Sequence, residues 1–165
     1  YKRQGIKIDT VKNVSYRPTK SRVRKSIFDV ISPFVFSSVL DLFSGTVILG
    51  FESISRGASA ITFVEKDAKS IMLLRKNREK FEGVAINIIK NKVELFLSNT
   101  NDSFDLIFAD PPYDKIDYDW LFNSCIKKLS KNGKLVVEMK KNNFIYENCI
   151  EKVYGDTKIL LYNKS

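Results

Sequence analysis

Val39-Leu40-Asp41-Leu42-Phe43-Ser44-Gly45 is a mostly apolar run ending in a glycine, and the amphipathic stretch Leu49 to Arg56 follows it. This order reads as a buried strand, a tight turn and a helix, the opening of a nucleotide-binding βαβ unit. Ala60-Ile61-Thr62-Phe63-Val64-Glu65 is the next strand, and its terminal carboxylate falls twenty residues after Gly45. An acidic residue at about that distance can accept hydrogen bonds from two ribose hydroxyls. Asp67, just beyond, reads as the N-cap of the following helix.

The alternation continues along the chain. Strands are expected near 38–43, 60–65, 84–90, 104–109 and 134–139, and helices over 48–56, 68–81, 92–98 and 117–130. Two further strands, near 149–154 and 157–162, flank Gly155-Asp156 and read as a hairpin. Seven strands arranged in this way predict an α/β fold, a doubly wound and mostly parallel sheet with an antiparallel C-terminal hairpin. Ahead of it, residues 1–16 read as an arm with room for a short hairpin, and Ile6, Ile8, Val11 and Val14 are its apolar positions. Thr19 reads as the N-cap of a first helix, whose apolar stripe is Val23, Ile27, Val30 and Ile31 and which Pro33 ends. That stripe turns Lys20, Arg24 and Lys25 outward. The expected organisation is an N-terminal basic arm and first helix over 1–34, packed on the α/β domain over 35–165. In such sheets ligands bind at the carboxyl ends of the strands, where Gly45, Glu65 and Asp110 all fall.

Asp110 opens a second motif. Phe104-Asp105-Leu106-Ile107-Phe108-Ala109 runs directly into Asp110-Pro111-Pro112-Tyr113, a strand delivering a carboxylate and an aromatic ring on a rigid loop. Two successive prolines fix φ and remove two backbone donors, so an amino group placed there meets acceptors only. The Asp110 carboxylate accepts one of its hydrogens and the Pro111 carbonyl is within reach of another. Tyr113 can stack on the ring that bears the amine, as aromatic side chains do on an extruded base. The motif admits guanine N2, adenine N6, cytosine N4 or a glutamine side chain.

The net charge of +9 is unevenly placed. Residues 1–25 carry nine basic side chains against Asp9 alone, whereas the remaining 140 residues carry nineteen basic and eighteen acidic ones. Four of the seven arginines, Arg3, Arg17, Arg22 and Arg24, lie in that short segment. Mutational drift toward lysine would spread charge along the whole chain, so a concentrated stretch points to a polyanion partner. Arg17, Lys20, Arg22, Arg24 and Lys25 are the candidate RNA contacts.

There are no histidines, which excludes a histidine general base, a Ser-His or Cys-His nucleophile pair and any His-containing zinc site. Cys125 and Cys149 lack metal-ligand spacing and read as free thiols in a reducing compartment. No metal is expected. No apolar run approaches the ~20 residues that span a bilayer, and no signal peptide is read, so a cytoplasmic monomer of one modest domain is the expectation.

These residues together resemble the S-adenosyl-L-methionine-dependent methyltransferases that modify exocyclic amines, most closely the bacterial RsmD family, which methylates guanine N2 in 16S ribosomal RNA. The likeness runs from Arg17-Pro18-Thr19 and Arg22-Val23-Arg24 through Leu40 to Gly45, Leu49-Gly50, Glu52 and Glu65. It continues over Asp110-Pro111-Pro112-Tyr113 to Tyr154-Gly155-Asp156-Thr157. It implies a Rossmann-like fold, with Asp41, Phe43, Gly45, Glu65, Asn91 and Asp110 binding the cofactor. Asp110, Pro111, Pro112 and Tyr113 would hold the amine, and ribosomal RNA or the small ribosomal subunit would be the partner. Two positions depart from the family pattern. Val47 stands where a second loop glycine is usual, so Val47→Gly is expected to tighten cofactor binding. Lys92 stands where the family tends to carry an Asp that meets the adenine amino group, with Asn91 beside it as the substitute. The alternatives are a non-catalytic RNA-binding relative and a DNA adenine-N6 methyltransferase, the latter disfavoured by the lack of an added recognition domain.

Overall fold

Leu42 stands opposite Val64 on one side and Ala109 on the other, and this register organises the molecule. A computed structural model describes residues 5–10, 18–45, 47–112 and 116–165, with side chains for all of these except 18–20. Among the described residues the strands are β1 (Ser38–Leu42), β2 (Ala60–Glu65), β3 (Ala85–Lys90), β4 (Phe104–Ala109), β5 (Leu129–Lys140), β6 (Cys149–Tyr154) and β7 (Thr157–Asn163). The helices are α1 (Pro18–Val30), α2 (Ile48–Ser55), α3 (Ala68–Arg78), α4 (Val93–Asn99) and α5 (Tyr118–Ile126). The strands make one sheet in the order β3-β2-β1-β4-β5-β7-β6. β3, β2, β1, β4 and β5 are parallel, and β7 is antiparallel to both β5 and β6. The chain therefore has the Rossmann-like, doubly wound architecture that its alternating pattern predicts.

Alternate residues of the central strands feed two cores. Val39, Phe63, Leu106, Phe108 and Val136 pack beneath α1, α2 and α3 through Val23, Ile27, Phe28, Phe51, Ile54, Ile71 and Leu74. Leu40, Leu42, Val64, Ile107, Ala109 and Val137 face α4 and α5 through Phe96, Leu97, Leu121, Phe122 and Cys125. α2 comes close to β2 because Gly50 has no side chain: a Cβ there would lie 2.3 Å from Phe63 Cε1. On the far face buried Lys158 donates to the carbonyls of Asn142 and Phe144, at 3.1 and 2.5 Å, and so holds the segment after β5 against the sheet.

Several boundaries differ from those expected. α1 starts at Pro18, so Thr19 lies inside the helix and is not its N-cap; proline suits a first helical position, where its missing N–H costs nothing. α3 stops at Arg78, three residues early. Its last turn holds buried Asn77, which exchanges two 2.8 Å hydrogen bonds with the backbone of Asp9, while Lys76 and Lys80 pair with the Asp9 carboxylate at 3.3 and 2.8 Å. These contacts dock residues 6–9 of the arm onto α3; residues 1–4 and 11–16 of the expected arm lie outside the described residues. α5 ends at Ile126 because Leu129 already pairs with Phe104, and the Ser130 hydroxyl donates to Asp105 Oδ1 at 2.6 Å. The stretch read as a helix end is the start of β5, offset by an irregularity before Lys134.

Candidate active site

Because Leu42 is level with Val64 and Ala109, the residues that follow them, Phe43, Glu65 and Asp110, leave the sheet at one height on three adjacent strands. Glu65 is itself level with Lys90, which sets Asn91 beside it, and the Asn91 N–H donates to the Glu65 carbonyl at 3.1 Å. A cleft of about 380 Å³ opens at this edge, bounded by Phe43, Gly45, Glu65 and Asn91 on one side and by Asp110, Pro111 and Pro112 on the other. That volume falls in the range of small-molecule and cofactor sites. Seven of the residues expected to bind the cofactor or hold the amine thus share one cleft. Tyr113 lies outside the described residues.

The loop after β1 is held from within. The Phe43 N–H donates to the Val64 carbonyl at 3.1 Å, the Ser44 hydroxyl to the Asp41 carbonyl at 2.7 Å, and the Val47 N–H to the Ser44 carbonyl at 2.9 Å. Asp41 is the exception among the expected cofactor residues. It is buried below the cleft rather than lining it, and its Oδ2 accepts the Gly50 N–H at 3.1 Å in the first turn of α2. Its carboxylate therefore fixes the helix and loop that shape the cleft.

Burial pushes the Asp41 carboxyl up from its ordinary 3.8 to about 7; the Gly50 N–H opposes this and the nearby Glu65 charge adds to it. A carboxyl raised in the folded state contributes stability that is full below its unfolded pKa and is lost as pH rises through the folded one. The corresponding span is ~4 kcal/mol at most. Urea unfolding of the wild type should show this loss between about pH 4 and pH 7, and Asp41→Asn, which keeps an acceptor for Gly50, should flatten that part of the difference curve. Parallel pH profiles for the two proteins would contradict the assignment.

Val47 adopts the left-handed conformation, with φ 52°, that suits a glycine. It does so with its side chain fully buried in the core beside α2, away from the cleft. A glycine here therefore acts on folding stability as well as on cofactor binding. Relief of the left-handed strain is worth ~1–2 kcal/mol, whereas removing a buried valine side chain and adding backbone freedom costs ~3–4 kcal/mol. Val47→Gly should therefore unfold at lower denaturant, by ~2 kcal/mol on this balance. A variant as stable as the wild type would mean that the strain outweighs the packing.

At the base of the cleft Glu65 Oε1 accepts the N–H groups of Lys66 and Asp67 at 2.8 and 2.9 Å, which orients the carboxylate. Its Oε2 faces the loop glycine: a Cβ on Gly45 would stand 3.9 Å from it. Asp67 caps α3 as its sequence position suggests, accepting the Ser70 N–H at 2.9 Å. Asn91 Oδ1 accepts the Lys92 N–H at 2.8 Å, and Lys92 itself lines the cleft with Lys66, Val93 and Glu94. Lys66, Val93 and Glu94 were not singled out from the sequence, although the positions just after a strand of this sheet are where lining residues belong.

Of the basic residues expected to meet RNA, Arg22 and Lys25 are exposed on α1, and Arg24 is half-buried instead of pointing fully outward. Arg17 and the Lys20 side chain lie outside the described residues. No group of three or more His, Cys, Asp or Glu side chains that could hold a metal occurs among the described residues, and no described helix is long and apolar enough to cross a membrane.

Comparison with known proteins adds a lineage to this geometry. Residues 2–163 match the family described as conserved hypothetical protein 95. The ribosomal RNA small subunit methyltransferases D of two Buchnera aphidicola strains are similar to the chain. One is 34% identical over 145 residues, covering 87% of this chain and 72% of the relative. The other is 35% identical over 158 residues, covering 93% and 76%. Among solved structures, a conserved hypothetical protein of Streptococcus pyogenes superimposes with a TM-score of 0.77 at 31% identity, covering 86% of this chain and 95% of its own.

Proposed function

The chain belongs to the conserved hypothetical protein 95 family, the RsmD family of methyltransferases, and we propose that it methylates the exocyclic N2 of a guanine in 16S ribosomal RNA, using S-adenosyl-L-methionine. The observation that carries this reading is the single cleft joining the Gly45 loop and Glu65 to Asp110-Pro111-Pro112. One wall has the features of a nucleoside site and the other has those of an amine clamp, at one height on neighbouring strands.

The residues present fit the cofactor. Gly45 leaves Glu65 Oε2 open to the loop side, and Glu65 Oε1 is already fixed by two backbone donors, so Oε2 can accept from the ribose. Phe43 supplies an apolar surface, and Asn91 offers a polar amide at the base end. Asp41 supports all of these from below. When bound, S-adenosyl-L-methionine supplies a methyl group activated on a sulfonium, so the protein has no need to create a strong nucleophile.

The chain's own work is positioning. Asp110 accepts one hydrogen of the guanine amine and the Pro111 carbonyl accepts the other, which draws the nitrogen lone pair out of conjugation with the ring and aims it into the cleft. Neither proline has an N–H to repel the amine. Tyr113 stacks on the extruded base. After transfer the extra proton on nitrogen passes to Asp110 or to water, consistent with a chain that has no histidine. Arg17, Lys20, Arg22, Arg24 and Lys25 hold RNA phosphates.

One observation favours a second reading, an RNA-binding relative without a cofactor: Lys92 lines the cleft where the family tends to carry an acceptor for adenine. Calorimetric titration of the folded protein with S-adenosyl-L-methionine separates the two. Saturable heat supports the enzyme. Absence of heat at millimolar cofactor would favour the binding module.

A further inference from the structure

We infer that the groove between α1 and the edge strand β6 is a track for the RNA phosphate backbone, with Lys152 as its wall on the sheet side; this rests on the proposed RNA substrate. The groove, about 650 Å³, is flanked by Arg22, Lys25 and Asp29 of α1 and by Lys152 and Tyr154 of β6. Arg22 and Lys25, three residues apart, share one helix face. Along β6, side chains alternate between the two faces of the sheet. Ile150, Lys152 and Tyr154 therefore point to the α1 side, while Glu151 and Val153 point to the other. The pairing of Lys152 with Ile159, which packs in the same core as Ile27 and Ile31, fixes that assignment. β6 thus turns its lysine into the groove and its glutamate away. Three cations meet the single carboxylate of Asp29 among the groove's lining residues. A hydrogen bond between the Ser26 and Tyr154 hydroxyls ties the two walls together.

One end of the groove lies at the sheet edge that carries the cleft. Tyr154 pairs with Thr157, and Thr157 with Lys140, three residues beyond Val137, which is level with Ala109. Its Tyr154 end is therefore at the same sheet edge as Asp110. Three strand spacings separate β4 from β6, ~15 Å in all, or about four nucleotides of stacked strand at ~3.4 Å each. That is the lateral span a backbone lying in the groove crosses to the amine clamp.

The test is fluorescence anisotropy of a short, labelled, mixed-sequence single-stranded RNA over a salt series. Lys152→Gln should weaken binding severalfold and reduce the slope of log affinity against log salt by about 0.7, the value for one lost contact on a single strand. Asp29→Asn should act with the opposite sign and tighten binding. Lys131→Gln removes the same charge from an exposed site at the other end of the sheet and should match the wild type. All three substitutions are at exposed positions, and matched thermal melts will show that each variant is folded. If Lys152→Gln and Asp29→Asn leave binding unchanged while Arg22→Gln weakens it, the track is refuted and RNA binding by α1 stands. Equal losses for Lys131→Gln and Lys152→Gln would also refute it. Wild-type protein that binds no RNA would remove both this inference and the RNA substrate on which it rests.

Discussion

Asp110→Ala should lose methyl transfer by about a hundredfold or more while keeping its affinity for both cofactor and RNA. The side chain's main role is on the amine, and the cofactor keeps its other expected contacts at Phe43, Gly45, Glu65 and Asn91, so removal of the carboxylate shows in turnover. A charge-assisted hydrogen bond that orients the reacting nitrogen is worth ~2–3 kcal/mol, which is about two orders of magnitude in rate. Asp110 is half-buried at the end of β4, where the backbone is fixed by pairing with β1 and β5, so the fold should survive the change. Single-turnover rates with saturating RNA and cofactor are the measurement. Activity above about a tenth of wild type, a loss below ~1.4 kcal/mol, would show that Asp110 does not orient the amine.

Glu65→Gln should have the complementary effect, a loss of cofactor affinity with RNA affinity unchanged. Glutamine keeps an oxygen for the Lys66 and Asp67 N–H groups, which now bond Oε1, so the local backbone is preserved. It replaces Oε2 with an NH₂ group that cannot accept from a ribose hydroxyl. Hydrogen bonds to a charged acceptor contribute ~1.5–3 kcal/mol each, so calorimetry should register a weakening of about a hundredfold. A dissociation constant within about threefold of wild type, under ~0.7 kcal/mol, would place the ribose elsewhere.

Much of this arrangement was legible in the sequence because a parallel sheet buries its strands on both faces. For that reason Val39 to Leu42 and Phe104 to Ala109 are apolar but for one aspartate each, and Asp110 and Glu65, at the ends of β4 and β2, mark the ligand edge. The seven strands and the β6-β7 hairpin followed from the same pattern. What the sequence concealed depends on partners distant along the chain. The early end of α5 is set by the pairing of Leu129 with Phe104, and that of α3 is accompanied by the docking of Asp9 on Asn77. Val47 resembled a defect in a glycine loop, yet its side chain fills the core while its backbone takes the glycine conformation. Asp41 read as a ligand contact, and only the approach of Gly50 shows it to be an internal brace. Lys152 sits in a charged, exposed strand, and alternation alone does not reveal which face α1 covers.

The most direct measurement is methyl transfer itself. The protein is incubated with isotopically labelled S-adenosyl-L-methionine and small ribosomal subunits or 16S ribosomal RNA that lack the modification, and the RNA is digested to nucleosides for mass spectrometry. Labelled N2-methylguanosine, absent with Asp110→Ala, is the predicted product. Label found on adenine N6, on cytosine N4 or on protein glutamine, or no label with a protein that binds the cofactor, would contradict guanine-N2 methylation.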